Sequence, residues 1–164
     1  MIWWFALTTI VVFLDQLSKR YMSSILSLCE PGYCETIVVL PVFKFSLLHN
    51  RGAAFSFLSQ EDGWQRWFLL GVSVVISGIL MVWLARLGRD QKLLALALAL
   101  ILGGAIGNLI DRALLGYVVD FIVVHYEHHY FPAFNLADSA ITLGAGCLLL
   151  DMFVQPKPEN REGQ

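Results

Sequence analysis

The sequence predicts an α-helical integral membrane protein: four transmembrane helices with a small extracytoplasmic sheet and a short interfacial helix. Three observations carry that prediction. Of 164 residues, 57% are hydrophobic and only 15% charged, where a soluble domain is about half apolar and a quarter charged. Four stretches reach or approach the roughly 20 mostly apolar residues that a crossing helix needs. The segment between the first two stretches is rich in β-branched and aromatic residues with partial alternation, the pattern of strand. The net charge of −2 gives no basis for a nucleic-acid partner. Three cysteines are too few for a disulfide-built scaffold.

The first stretch, about 2–21, is "IWWFALTTIVVFLDQLSKRY". It lacks a basic leading region and a small-residue cleavage site, so it reads as a retained helix rather than a secretory signal. Residues 22–63 follow as an outer loop. Within it "TIVVLPVFKFSLLHN" reads as strand in part, and "FSFLSQEDGW" as a short interfacial helix with Phe55, Phe57 and Trp64 at headgroup level. Cys29 and Cys34 share this loop and can form a disulfide if it faces an oxidising compartment. The second span, about 64–85, contains the uncharged run "WFLLGVSVVISGILMVWLA"; the third, about 93–115, contains "LLALALALILGGAIGNLI". A second outer loop, about 116–135, leads to the fourth span, about 136–154, with Asp138 and Asp151 near its ends. Residues 1–155 thus form one four-span domain, and 156–164 a polar tail, expected to be cytoplasmic and disordered.

Orientation follows from the basic residues of short loops. Arg86, Arg89 and Lys92 stand between spans two and three, and Lys157 and Arg161 in the tail. Four spans put both groups on one side, assigned to the cytoplasm, with both chain ends. Lys19 and Arg20 argue the other way, but Asp15 stands one turn from Lys19 and can pair with it.

With this topology the intramembrane polar residues gather at one depth, near the outer leaflet. Asp15 and Lys19 lie in the outer part of span one, Asn108, Asp111 and Arg112 at the outer end of span three, and Asp120 just beyond it. Asn135 and Asp138 begin span four, and Asn50 and Arg51 lie in the loop returning to span two. Ionisable groups at such positions are costly and face a bundle interior or water. Each also has an ordinary reading. Asp15 and Lys19, at i,i+4, can be a structural pair. Arg112 can reach for headgroups. Asn135 suits a helix N-cap with Asp138 in the first turn, and "GGAIGN" suits close helix packing. Asp120, flanked by "VV" and "FI", has no such role at hand.

The available chemistry narrows to carboxylates. His49, His125, His128 and His129 all fall in outer loops, and no GxSxG elbow accompanies them. "HYEHH" matches neither common zinc-helix pattern, and no glycine-rich loop follows a strand, so no metal or other cofactor is expected. Two aspartates brought together can share one proton and activate water against a peptide carbonyl.

Five blocks then resemble the lipoprotein signal peptidases, the signal peptidase II family of membrane aspartyl proteases: "DQLSK" (15–19), "HNRGAAFSF" (49–57), "GGAIGNLIDR" (103–112), "VVDFI" (118–122) and "FNLADSAI" (134–141). The resemblance covers all but the tail. It implies a catalytic dyad of Asp120 and Asp138, with supporting roles for Asp15, Lys19, Asn50, Arg51, Gly52, Asn108, Arg112, Asn135 and Ala137. It implies four transmembrane helices with a small extracytoplasmic β-cradle and a short interfacial helix. It implies cleavage of diacylglyceryl-modified prolipoproteins just before the lipidated cysteine, at the outer face of the bacterial inner membrane, by an enzyme that works as a monomer and takes globomycin-type inhibitors. Two other classes stand beside it. A proton-coupled transporter would favour polar groups at mid-bilayer and internal repeats, neither of which is visible. A structural assembly subunit has no need of two converging acids.

Overall fold

The computed structural model describes residues 2–52 and 64–154. The segment expected as an interfacial helix therefore lies, Trp64 apart, outside the described residues, as does the tail. The described chain forms α1 (Ile2–Ile25), β1 (Ile37–Leu40), β2 (Phe43–Asn50), α2 (Trp64–Arg86), α3 (Lys92–Leu114), β3 (Val118–Tyr126), β4 (His129–Tyr130) and α4 (Leu136–Val154).

Among the described residues, three helices are long and apolar enough to cross a membrane: Arg66–Arg86 in α2, Lys92–Leu114 and Leu136–Val154. The fold is thus that of a helical membrane-type protein with a small sheet. Helix α1 has the length, 24 residues, but carries Asp15, Gln16, Lys19 and Arg20 in its second half. It also continues a turn past the apolar run that ends near Tyr21, because no glycine or proline stops it before Ile25; hydropathy locates a membrane edge, not a helix end.

Helix α3 is the central element, packed against α1, α2 and α4. Its apolar positions, among them Leu94, Leu98 and Leu102, bury against Leu80 and Leu84 of α2. The small residues of "GGAIGN" bring the other helices close. A methyl group on Gly103 would overlap Val11 of α1, and one on Gly104 the Ala137 carbonyl of α4. Within a bilayer apolar burial drives little, and such close backbone approach supplies the packing. The outward faces are inverted relative to a soluble protein: Val74, Val75, Ile79 and Val82 of α2 and Leu143 and Leu150 of α4 are exposed.

The strands form one antiparallel sheet in the order β1-β2-β3-β4. Register pairs Leu48 with Asp120 and Asn50 with Val118, with a bulge between Phe45 and Leu48. Strand β3 was not among the sequence expectations. "VVDFIVV" has no alternation because nearly all of its first six residues are buried, and a strand covered on both faces shows no period of two. The Cys29–Cys34 disulfide is present, and the Cys29 N–H donates to the Leu47 carbonyl at 2.9 Å, tying that turn to β2.

Candidate functional site

Five hydrogen bonds to the backbone bring the polar residues together. The Ile122 N–H donates to the Phe134 carbonyl at 2.8 Å and the Phe134 N–H returns to the Ile122 carbonyl at 3.1 Å, so the chain entering α4 runs beside β3. Asn135 then starts the helix reciprocally. Its Oδ1 accepts from the Asp138 N–H at 2.9 Å, and Asp138 Oδ2 accepts from the Asn135 N–H at 3.2 Å. Each satisfies a donor that the helix start leaves open. From α1, Asp15 Oδ1 accepts from the Ala137 N–H at 2.9 Å, a third such donor.

Lys19 lies at the centre of the support. It is 3% exposed, and its ammonium reaches Asp15 Oδ2, Asp111 Oδ2 and Asn108 Oδ1, each at 2.9 Å. Three donors meet three acceptors, which offsets the cost of burying the ammonium. Asp111 Oδ2 also accepts from the Val119 N–H at 3.1 Å, anchoring the start of β3 to the end of α3. Gln16 donates to Asp111 Oδ1 at 2.8 Å and to the Gly107 carbonyl at 3.1 Å.

The two aspartates stand at the end of this network. Asp120 Oδ1 accepts from Asn135 Nδ2 at 2.8 Å, and Oδ2 from Asn50 Nδ2 at 3.1 Å. Asp138 Oδ1 accepts from Asn108 Nδ2 at 2.8 Å. The Asn135 amide also faces Asn108 Oδ1 and the Val119 carbonyl, each at 3.2 Å, so one fully buried residue holds both acids, Asp120 by its side chain and Asp138 by its backbone N–H. Burial, and then the charge of Asp138, push the Asp120 carboxyl up to about 7, against smaller lowering by the Asn50 and Asn135 bonds and Lys19. Asp120 thus holds a proton at pH values where an exposed carboxyl has lost it.

Both acids line a cavity of about 670 Å³ that also takes in Asn50, Asn108, Arg112 and Thr142. Ser139 apart, its remaining wall is apolar, with Phe131, Pro132, Phe134, Ile141 and Leu143 among its residues. Phe131 and Leu143 are exposed, so the cleft opens on the outward side of α4.

Of the residues singled out from sequence, Asp15, Lys19, Asn50, Asn108, Asp120, Asn135, Ala137 and Asp138 form one hydrogen-bonded assembly. Gly52 joins it through its N–H, which donates to Asn50 Oδ1 at 3.1 Å and turns the Asn50 amide toward Asp120. Arg112 lines the cleft. Arg51 is exposed, and its side chain makes no hydrogen bond or ion pair among the described residues. Asp111 and Gln16 have positions in the network that sequence reasoning did not assign. The signal for Asp111 was an ionisable residue in an apolar helix beside Asn108 and Arg112; for Gln16 it was only its place next to Asp15.

The chain is similar to known proteins over nearly its whole length. The sequence profile of a family described as signal peptidase (SPase) II matches residues 7–154. A protein of Pseudomonas syringae pv. tomato named lipoprotein signal peptidase is 55% identical over 94% of this chain and 87% of its own length. One of Pseudomonas putida with the same name is 52% identical over 96% of this chain and 90% of its own. A solved bacterial membrane enzyme structure, obtained in meso at 2.3 Å, superposes with a TM-score of 0.83 at 25% identity, over 100% of this chain and 96% of that one.

Proposed function

The chain belongs to the signal peptidase II family, and on that premise we propose that Asp120 and Asp138 are the catalytic dyad of a membrane aspartyl endopeptidase. The observation that carries the assignment is the sharing of Asn135. Two acids 18 positions apart in sequence are held by one buried residue in one cleft, Asp120 through the Asn135 side chain and Asp138 through the Asn135 N–H, with Asp120 raised to about 7 by burial and by Asp138. The pair works with one acid protonated and the other ionised. Its ionised member takes a proton from water, which attacks the scissile carbonyl. Its protonated member polarises that carbonyl and then protonates the leaving amine. Arg112 stabilises the anionic dyad and the developing oxyanion from the cleft wall. Asp15, Lys19, Asn50, Gly52, Asn108, Asn135 and Ala137 hold the geometry, and Arg51 contacts substrate from the cleft's outer edge.

The substrates are prolipoproteins carrying a diacylglyceryl cysteine, cut just before that cysteine. The apolar wall and its opening beside α4 support this reading, since a lipid-anchored peptide arrives sideways from the bilayer. Helix α1 completes four spans, both chain ends are cytoplasmic, and the sheet forms a cradle on the periplasmic face of the inner membrane. Arg86, Arg89 and Lys92 support that orientation, as does the Cys29–Cys34 disulfide, which belongs to an oxidising compartment. The protein acts as a monomer, and globomycin-type peptides occupy the same cleft.

Incubating the purified protein in detergent with a diacylglyceryl precursor and following the released signal peptide tests the assignment. Asp120→Asn and Asp138→Asn should each lower kcat by at least about 1,000-fold while the protein still folds and inserts. Normal processing by either variant would sink the dyad. The same precursor without lipid should lose roughly 100-fold or more in kcat/KM, because buried acyl carbons contribute about 0.8 kcal/mol each; equal turnover would remove the lipid requirement.

A further inference from the structure

Helix α3 ends beside the candidate site, and its end is held in an unusual way. The last turn of a helix leaves carbonyls without intrahelical partners. The Leu115 and Gly116 N–H groups both donate to the Asp111 carbonyl, at 2.7 and 3.3 Å, and Gly116 takes a φ of +84°, the left-handed turn that closes many helices. The next two carbonyls are served from another element. Arg66, in the first turn of α2, donates from Nε to the Arg112 carbonyl at 3.2 Å and from Nη2 to the Ala113 carbonyl at 2.8 Å. The positive fork meets the negative end of the α3 dipole. The guanidinium also lies over Gly116, where a side chain would sit 3.1 Å from Nη1 and 3.2 Å from Cζ. Arg66 has no carboxylate partner among the described residues and does not line the cleft.

What the fork holds is the joint between the two halves of the site. On one side are Asn108, which bonds Asp138, and Arg112. On the other, two residues past Gly116, β3 begins and carries Asp120. We propose that Arg66 is a positioning residue for peptide cleavage: by clamping the α3–β3 turn it fixes the separation of Asp120 from Asp138. The inference rests on the dyad assignment above. It involves the glycine as well as the arginine, since a methyl group at position 116 would press on the fork from 3.1 Å and would strain a backbone whose φ is +84°. It also explains why an arginine is placed at the start of a helix whose next charged residue is Arg86, at its far end.

The test uses the full-length purified protein and lipidated precursor, with thermal unfolding recorded alongside. Arg66→Ala should lower kcat by roughly 10- to 100-fold, the scale set by misplacing a reacting group by about 1 Å, with KM nearly unchanged. Arg66→Lys, which keeps charge and a donor, should recover part of the loss. Gly116→Ala should lower kcat in the same way. The double variant should be no slower than the slower single one, because both changes release one clamp. If Arg66→Ala does not fold, Arg66→Gln is read by the same criteria. A lower Tm with kcat per folded molecule intact, a rise in KM alone, or additive losses in the double variant would each overturn the proposal. Activity in Asp120→Asn or Asp138→Asn would defeat the dyad reading itself; inactive aspartate variants beside an unimpaired Arg66→Ala would defeat only this inference.

Discussion

At the scale of single residues, the protonation of Asp120 links activity to stability. Its carboxyl titrates near 3.8 in an unfolded chain and at about 7 in the fold. Below the lower value both states are protonated, and above the upper value both are ionised. Between them the folded chain keeps a proton that the unfolded chain has released, so its contribution to stability falls as pH rises through that window. At about 1.4 kcal/mol per pKa unit the whole effect is on the order of 4 kcal/mol. The dyad also needs that proton to act. We therefore expect the alkaline limb of kcat/KM to centre near pH 7, and Tm in detergent to fall between pH 5 and pH 8. Asp120→Asn, inactive but free of the buried charge, should be the more stable protein at pH 8 and should lose that part of the slope. Parallel Tm curves for the two proteins would contradict this account, as would an alkaline limb above about pH 9.

At the scale of elements, α3 is built to be approached. Gly104 faces the Ala137 carbonyl and Ile141, and Gly107 faces the Asp15 carboxylate that caps α4. The same short motif thus sets the spacing of three helices and the position of a capping acid. Gly71 and Gly78 of α2 have open space around them and serve as internal controls. Gly104→Ala should lower stability by about 1–3 kcal/mol through overpacking, seen as a clear drop in Tm. Gly78→Ala should be neutral or stabilising, since alanine favours helix by about 1 kcal/mol. Equal thermal stability of the two variants would mean that α4 can shift without consequence.

At the scale of the whole molecule, orientation decides which membrane face the cleft serves. The proposed topology puts the Cys29–Cys34 turn and the sheet on the periplasmic side. A membrane-impermeant maleimide applied to spheroplasts should label these cysteines after treatment with an impermeant reductant and not before it. Labelling that appears only once the membrane is permeabilised would invert the topology. The cleft would then face the cytoplasm, where a substrate anchored in the outer leaflet does not reach.

The sequence alone determined the helices and the family. Apolar runs of bilayer length admit few other structures, since backbone groups in lipid must be satisfied within the segment. The reciprocal cap of Asn135 and Asp138 was equally legible, because its partners are three residues apart. Tertiary structure decided the rest. That Lys19 reaches Asp111, that Asn135 reaches Asp120, that Asp15 caps α4 at Ala137, and that Arg66 reaches the end of α3 all join residues 15 to 122 positions apart, and no local pattern encodes such distances. Strand β3 was hidden for a related reason. Being buried on both faces, it lost the alternation by which a strand is read, and only its pairing with β2 and with Phe134 reveals why Asp120 stands where Asp138 can meet it.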